Sequence, residues 1–320
     1  MAKQKTLSLV FFLSVIYLLS ILPYSSAEDA SPSRITLALN RDEGDAPSPD
    51  GAVSSNEMPE WLRRTNFAFS VSTDQKPKYF FETIQPLFGT QDEEMVIFNQ
   101  SRISEQASRP IYNLGFGLRR IFLDRYLLGA NAFYDYQDLH KHSRGGLGFE
   151  FITDRGIEAR LNGYLRISRE HLVGGDSTNG NYEKVANGFD YEVGAPLPYL
   201  SCLRLYAGGY WYDFEDFKDQ YGWKIRMEFT PIKYSRLDFE VFDDTKRNRT
   251  GYRLEGAVTL AFTSFAWKDI LKDIRAGQEK YPRIDLHDRV LDRVVRDFDI
   301  TVIGSTKTAD GLTVEAGKSG

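Results

Sequence analysis

The chain is poor in cysteine, in net charge and in long apolar runs. Cys202 is the only cysteine, which excludes an internal disulfide and a thiolate metal site. The net charge of -5 argues against nucleic-acid binding. Beyond the N-terminal stretch, no segment is long and apolar enough to cross a bilayer as a helix. A place in a membrane is therefore open to the mature chain only as a β-barrel, in which alternation hides the apolar residues.

The N-terminus has the pattern of an export signal. Lys3 and Lys5 precede an apolar stretch, and a small-x-small cleavage site closes residues 1–27, which we predict to be a signal peptide. The alternative is a membrane anchor helix, but serines interrupt the apolar stretch and a proline ends it. Residues 28–60 are polar and predict a disordered periplasmic lead-in.

The rest of the chain is dominated by alternation of apolar and polar residues. Between Ile157 and Ile167, one set of alternate residues is apolar or glycine, and the other includes Glu158 and Arg160. Successive side chains of a strand point to opposite faces. About twelve such segments within residues 61–265 predict an all-β fold, a twelve-stranded antiparallel outer-membrane β-barrel. The alternative is a soluble sandwich or small barrel with solvated outer faces.

The connections between these segments differ in length on the two sides. Every second connection is short, and the longest of the others, Arg169 to Glu183, is rich in Gly, Asn and Asp and predicts an outer loop. Short turns at one rim and longer loops at the other are typical of outer-membrane barrels, with the short side periplasmic.

The charged faces of the predicted strands must meet water or opposite charges. An Arg or Lys that faces the middle of the bilayer costs about 2–4 kcal/mol. Apolar positions such as Leu114, Phe116 and Leu205 are therefore assigned to lipid, and the polar positions are assigned to the lumen. The predicted lumen-lining residues are Arg119, Asn131, Asp135, Glu150, Glu158, Arg160, Arg166, Arg204, Lys224, Arg226, Glu228, Asp238, Glu240, Arg253 and Glu255.

A series of motifs resembles one known family. The stretch Phe81-Glu82-Thr83-Ile84-Gln85-Pro86-Leu87-Phe88 is similar to the opening barrel motif of inverse autotransporters, the intimin and invasin family. Further matches follow in family order: Asn113-Leu114-Gly115-x-Gly117-x-Arg119, Leu128-Gly129-x-Asn131-x-Phe133-x-Asp135, Gly146-Leu147-Gly148-x-Glu150, Asn162-Gly163-Tyr164-x-Arg166-x-Ser168, Ala186-Asn187-Gly188-Phe189-Asp190 and Thr230-Pro231-Ile232. The resemblance covers roughly residues 64–303. It implies a twelve-stranded outer-membrane barrel that carries a passenger on its C-terminal side.

Residues 266–303 resemble the family segment that threads back through the barrel. Trp267 to Lys280 has helical spacing, and Asp292-x-Val294-x-Arg296-x-x-x-Ile300 follows. The resemblance implies a pore-threading helix and linker in the lumen. The alternative is a periplasmic amphipathic helix. Residues 304–320 then form a short C-terminal tail, a vestigial or truncated passenger with one possible strand, Leu312 to Ala316.

The sequence offers little chemistry. His140 and His142 flank Lys141 in a predicted outer loop, and His171 lies in the longest one. A paired-His metal site needs more ligands nearby, and a lysine is a poor companion, so we expect no metal, no cofactor and no catalytic residue. The protein is not expected to be an enzyme.

The functional hypothesis is an outer-membrane translocator of the inverse autotransporter type, exported by its signal peptide and adhesin-like by resemblance. Its expected partners are outer-membrane lipid, the barrel-assembly machinery and periplasmic chaperones. No host or neighbouring-cell receptor is expected for so short a passenger, and no nucleic acid. Two alternatives remain open: a pore-forming or structural barrel without secretion, and a hydrolase with its site at the barrel rim.

Overall fold

The computed structural model describes residues 59–73, 75–106, 109–215, 217–232, 234–260, 280–308 and 313–315. Within these ranges, no helix is long and apolar enough to cross a membrane. The predicted signal peptide and nearly all of the lead-in fall outside the described residues, as does the predicted helix before Lys280. A short helix α1, Glu60–Arg63, precedes the first strand.

Twelve antiparallel strands close into a barrel, which confirms the predicted fold class. They are β1 Thr65–Ser72, β2 Gln75–Phe88, β3 Met95–Gln106, β4 Arg109–Phe122, β5 Tyr126–Gln137, β6 His142–Thr153, β7 Glu158–Arg166, β10 Asn187–Leu197, β11 Leu200–Asp213, β12 Gln220–Ile232, β13 Ser235–Asp244 and β14 Gly251–Thr259. The first and last strands pair, with Asn66 opposite Thr259, so the barrel has no free edge. In the middle, β7 pairs directly with β10.

The two faces of each strand differ as the alternation predicts. Along β4, Leu114, Phe116 and Leu118 are exposed on the outer surface, and the residues between them are buried toward the lumen. Most of the other strands follow the same period, so the outside of the barrel is apolar and its inside carries the buried polar and charged residues together with one apolar seam.

Five connections of two to six residues lie together at one rim, which we call the short-turn rim. Between β4 and β5, Leu123 and Asp124 both have positive φ values, 54° and 51°, and Arg125 N–H donates to the carbonyl of Phe122. Two positive φ values define a type I′ turn, whose twist suits a tight hairpin. The opposite rim carries the two-residue connections β1–β2 and β3–β4 as well as the longest connection, between β7 and β10, and is called the long-loop rim.

The prediction of a loop from Arg169 to Glu183 is wrong, because this stretch forms most of a hairpin. The hairpin consists of β8, His171–Gly175, and β9, Gly180–Val185. Asp176 accepts hydrogen bonds from the N–H groups of Thr178 and Asn179 and so shapes the turn between them. The abundance of Gly, Asn and Asp reflects this tight turn rather than an irregular loop.

The hairpin belongs to a second, four-stranded sheet in the order β16-β15-β9-β8, which we call the exit sheet. Its other strands are β15, Val302–Lys307, and β16, Thr313–Glu315. The latter falls within the single strand predicted for the C-terminal tail. The exit sheet therefore joins a barrel connection to residues more than a hundred positions later in the chain.

Candidate functional site

Residues 284–301, which we call the plug, pass through the barrel from one rim to the other. At the short-turn rim, the N–H of Ile284 donates to the carbonyl of Asp154 at 2.8 Å. At the other end, the N–H of Ala186 donates to the carbonyl of Thr301 at 3.0 Å, and β15 continues into the exit sheet. The linker predicted from the resemblance therefore lies in the lumen.

Apolar side chains of the plug recur every fourth residue along this path. Leu286, Val290, Val294 and Phe298 are all buried, with exposures of 0–4%. The first two pack against Val96, Ile121, Leu127 and Ile152, and the last two pack against Ile84, Phe98 and Phe133. The spacing resembles that of a helix, but only the single 3₁₀ turn His287–Arg289 is helical. The plug is thus held by a dry seam along β2 to β6.

A buried ion pair fixes the centre of the plug. Arg296 donates from Nη1 and Nη2 to the two carboxylate oxygens of Asp135, at 3.0 and 2.8 Å. The same carboxylate accepts from Nε of Arg144 at 2.9 Å and from Asn113 at 2.8 Å. Both Asp135 and Arg144 are completely buried. A buried charge is tolerated only when it is paired and hydrogen-bonded, and Asp135 meets both conditions.

Further ion pairs lie along the length of the plug. Near the short-turn rim, Arg289 donates to Glu158 at 2.7 Å. Near the long-loop rim, Lys78 is 2.6 Å from Asp299. Opposite charges on the plug and the wall therefore pair at three levels of the lumen. These pairs hold the plug in the lumen and set its register along the barrel axis.

The irregular backbone of the plug is satisfied by side chains of the barrel wall. The N–H of Val294 donates to Gln100 at 2.8 Å, and Arg119 donates to the carbonyl of Val290 at 3.0 Å. Asn113 donates to the carbonyl of Phe298 at 3.1 Å. A buried segment that is not part of a β-sheet needs such partners. An unpaired buried backbone group destabilises the fold about as much as the loss of one hydrogen bond.

Two glycines of the family motifs make room inside the barrel. A Cβ at Gly146 would lie 2.4 Å from Nη2 of Arg296, and one at Gly117 would lie 2.2 Å from the ring of Phe98. Neither distance is compatible with a real contact, so these positions need glycine for close approach rather than for backbone conformation.

The structure places most of the predicted lumen residues on the inner face. Ten of them are buried: Arg119, Asn131, Asp135, Glu150, Glu158, Arg160, Arg226, Glu228, Asp238 and Glu240. Arg204, Lys224, Arg253 and Glu255 are partly exposed and also form ion pairs with residues of the inner face. Arg166 lies instead at the long-loop rim, where it pairs with Glu215 at 2.7 Å. In the plug, Val294, Arg296 and Ile300 are buried and Asp292 is partly exposed.

Sequence reasoning missed Arg144 and Glu192, which are buried on the same face. Arg144 is two residues before Gly146, and Glu192 is two after Asp190, so the period of two would have found both.

The wall away from the dry seam is lined by a network of charges. Arg226 donates to Glu192 at 2.7 Å, to Glu228 at 2.8 Å and to Asp238 at 2.9 Å. A cavity of about 450 Å³ lies between this wall and the plug. Its lining is strongly charged, which favours water over an apolar ligand.

Histidines gather at the long-loop rim, where we define the rim cluster as His140, His142, His171 and Glu183. Nδ1 of His140 and Nε2 of His142 lie 2.6 and 2.9 Å from the same oxygen, Oε2 of Glu183. The rings of His142 and His171 are 5.5 Å apart. The hydrogen bond with His142, followed by that with His140, outweighs burial and lowers the pKa of Glu183 to about 2.

A closed barrel with an apolar outer surface and a charged, plugged lumen defines an integral protein of the outer membrane. Residues 52–294 match the family model of the inverse autotransporter β-domain. The chain belongs to this family, as the sequence motifs indicated.

Named relatives agree with this assignment over part of their length. The chain is 29% identical to the inverse autotransporter adhesin YeeJ of Escherichia coli (strain K12), over 45% of this chain and 6% of that protein. It is 28% identical to an attaching and effacing protein homolog of the same strain, over 46% of this chain and 50% of that protein. It thus spans half or less of these relatives.

A solved structure from work called "Unveiling the Mechanism Behind the in-meso Crystallization of Membrane Proteins" superposes with a TM-score of 0.59. The match covers 74% of this chain and 98% of that one at 21% identity. At this identity it supports the fold alone.

Proposed function

We propose that the protein is a translocator, a barrel that anchors a C-terminal passenger and delivers it across the outer membrane. The observation that carries the proposal is the path of the plug, which starts at the short-turn rim and continues as β15 beyond the long-loop rim. A chain that leaves the last strand on the periplasmic side can reach that position only through the lumen.

The mechanism uses no bond cleavage and no cofactor. The barrel inserts first, with its lumen open, and the C-terminal segment then passes through as a hairpin. Once the passenger has emerged, residues 284–301 settle against the dry seam and close the lumen. The four buried apolar side chains of the plug and the paired hydrogen bonds from Arg296 to Asp135 favour this final state. The relative YeeJ is named an adhesin, and an adhesive role for a passenger of this chain belongs to the proposal.

The test is the side of the membrane on which the C-terminus lies. A peptide tag is fused after Gly320 and labelled by an antibody in intact cells. A matched tag in the β8–β9 turn, after Ser177, should be labelled, and one in the β4–β5 turn, after Leu123, should be reached only after permeabilisation. We expect the tag after Gly320 to behave like the first control. Behaviour like the second would mean that the segment has not crossed, and the translocator proposal would fail.

The charged cavity beside the plug favours a second candidate, a narrow pore. The cavity is lined by charged residues that include Arg226, Asp238 and Glu240. A pore with this lining would conduct hydrated ions rather than apolar solutes. Planar-bilayer conductance separates the two functions, because a barrel sealed by its plug should be nearly silent. A steady open-channel current from the full chain would favour the pore.

A further inference from the structure

The rim cluster unites side chains from the start of β6 and from the β8–β9 hairpin. His140 lies in the turn before β6, His142 is the first residue of β6, and Glu183 lies in β9. Lys141 between the histidines has a φ of 58°, which turns the backbone at this point. Its ammonium group is 2.6 Å from Asp138, so a carboxylate already partners this charge.

We propose that His140, His142 and Glu183 bind a divalent transition-metal ion of the zinc class. Two imidazoles and a carboxylate form a common zinc donor set, with water in the fourth position. The donor atoms of the three residues all lie within 4.8 Å of one another. This proposal goes beyond the transport function and does not depend on it.

Two of the three separations between donor atoms need only a small adjustment to accept the ion. Bonds of about 2.0–2.1 Å in a tetrahedral site place neighbouring donor atoms about 3.3 Å apart. The two histidine nitrogens now lie 2.6 and 2.9 Å from Oε2 of Glu183. Each pair therefore has to separate by less than about 1 Å, which rotation of the partly exposed His140 and Glu183 side chains can supply.

The burial of the cluster is also that of a ligand site rather than of a surface group. His142 is fully buried, whereas the side chains of His140 and Glu183 are 23% and 21% exposed and leave a route for the ion. Among the described residues, Nδ1 of His142 and Nε2 of His171 are buried without a hydrogen-bond partner. His171 thus adds a third imidazole beside the proposed ligands.

A bound ion would link the exit sheet to the barrel. His142 begins a barrel strand, and Glu183 lies on β9, which pairs with β15 opposite Gly304. The metal would therefore hold the β8–β9 hairpin over the rim where the plug ends. Sequence reasoning gave no metal here because Glu183 is 41 residues from His142 in the chain.

The experiment is zinc titration of the full chain, refolded in detergent micelles and stripped with a chelator. Calorimetry gives affinity and stoichiometry, and Co²⁺ substitution gives the visible absorption of a tetrahedral site. The variants are His140→Gln, His142→Gln and Glu183→Gln. Matched controls are Glu170→Gln, a loop carboxylate paired with Lys307, and His287→Gln, the one histidine outside the cluster. Retarded migration after boiling verifies that each barrel has folded.

We expect one zinc ion per chain in the parent and in both controls. Each ligand variant should lose at least about tenfold in affinity, since even outer-shell changes cost 10–100-fold. Glu183→Gln keeps the shape of the side chain, so a loss of zinc affinity in this variant would be due to the missing carboxylate charge. The proposal is overturned if the folded parent takes up no stoichiometric zinc, or if Glu183→Gln and Glu170→Gln bind it equally well.

Discussion

The pair of hydrogen bonds from Arg296 to Asp135 should control how often the plug leaves the lumen. Replacing Arg296 with Met keeps an unbranched apolar side chain but removes both hydrogen bonds to Asp135, together with the guanidinium that lies over the ring of Phe133. Asp135 still accepts hydrogen bonds from Arg144 and Asn113, so its buried charge keeps two partners. The change therefore tests the grip on the plug rather than the integrity of the wall.

The magnitude follows from the two bonds that are lost. A hydrogen bond to a charged group contributes about 1.5–3 kcal/mol. The remaining partners of Asp135 and the removed desolvation cost of Arg296 reduce the sum of two such bonds to about 2–4 kcal/mol. Each 1.4 kcal/mol is a factor of ten, so the open population should rise roughly 30- to 700-fold.

The assay is the labelling of a thiol that only the open plug exposes. Val294 is fully buried, and Val294→Cys in a Cys202→Ser background places one thiol at the dry seam. Its rate of reaction with a charged maleimide, in folded protein, reports the open fraction when closing is fast. Arg296→Met should raise this rate.

The matched control is Arg166→Met, which removes an exposed pair with Glu215 at the long-loop rim. Such pairs contribute about 0–1 kcal/mol, so this variant should label nearly as slowly as the parent. A double-mutant cycle with Asp135→Asn measures the coupling directly. The reasoning is refuted if Arg296→Met and Arg166→Met label at the same rate, or if the cycle shows no coupling.

Three other predictions follow from the same contacts. Deleting residues 280–320 should leave a folded, heat-modifiable barrel with higher bilayer conductance, and unchanged conductance would mean that the plug does not seal the lumen. Leu205→Arg should impair membrane insertion more than Arg204→Leu, because Leu205 is exposed on the outer surface and an arginine there costs about 2–4 kcal/mol. Equal insertion yields would contradict the register. Gly146→Val should displace the Arg296 guanidinium and speed thiol labelling at position 294, whereas Gly163→Val, where a Cβ meets nothing within 4 Å, should not.

The barrel could be predicted because its signal is local. Strands with one apolar and one charged face repeat every two residues, and the count and the short turns follow from the sequence directly. Where the alternation holds, the structure buries the residues assigned to the lumen, as at Glu158 and Arg160. Arg166 departs from it because β7 ends there and the side chain leaves the lumen for Glu215.

The plug and the rim cluster depend on contacts that no local pattern contains. The threading of residues 284–301 was reached by family resemblance, since its apolar spacing of four predicts a helix that is almost entirely absent. Arg296 and Asp135 are 161 residues apart, and either charge alone would suit a solvated position. Such pairs are visible only once the topology has brought the plug against the wall of the lumen.

The β8–β9 hairpin could not be predicted from its own sequence, because a strand from a distant part of the chain stabilises it. A two-stranded hairpin such as β8–β9 is marginal in water and needs at least a third strand for stability. That strand is β15, which pairs along the whole of β9, from Val185 opposite Val302 to Gly180 opposite Lys307. Since β15 reaches this place only by way of the lumen, the order of the hairpin depends on the plug being in position. The same dependence explains why residues 169–183 carry a loop-like composition when they are considered alone.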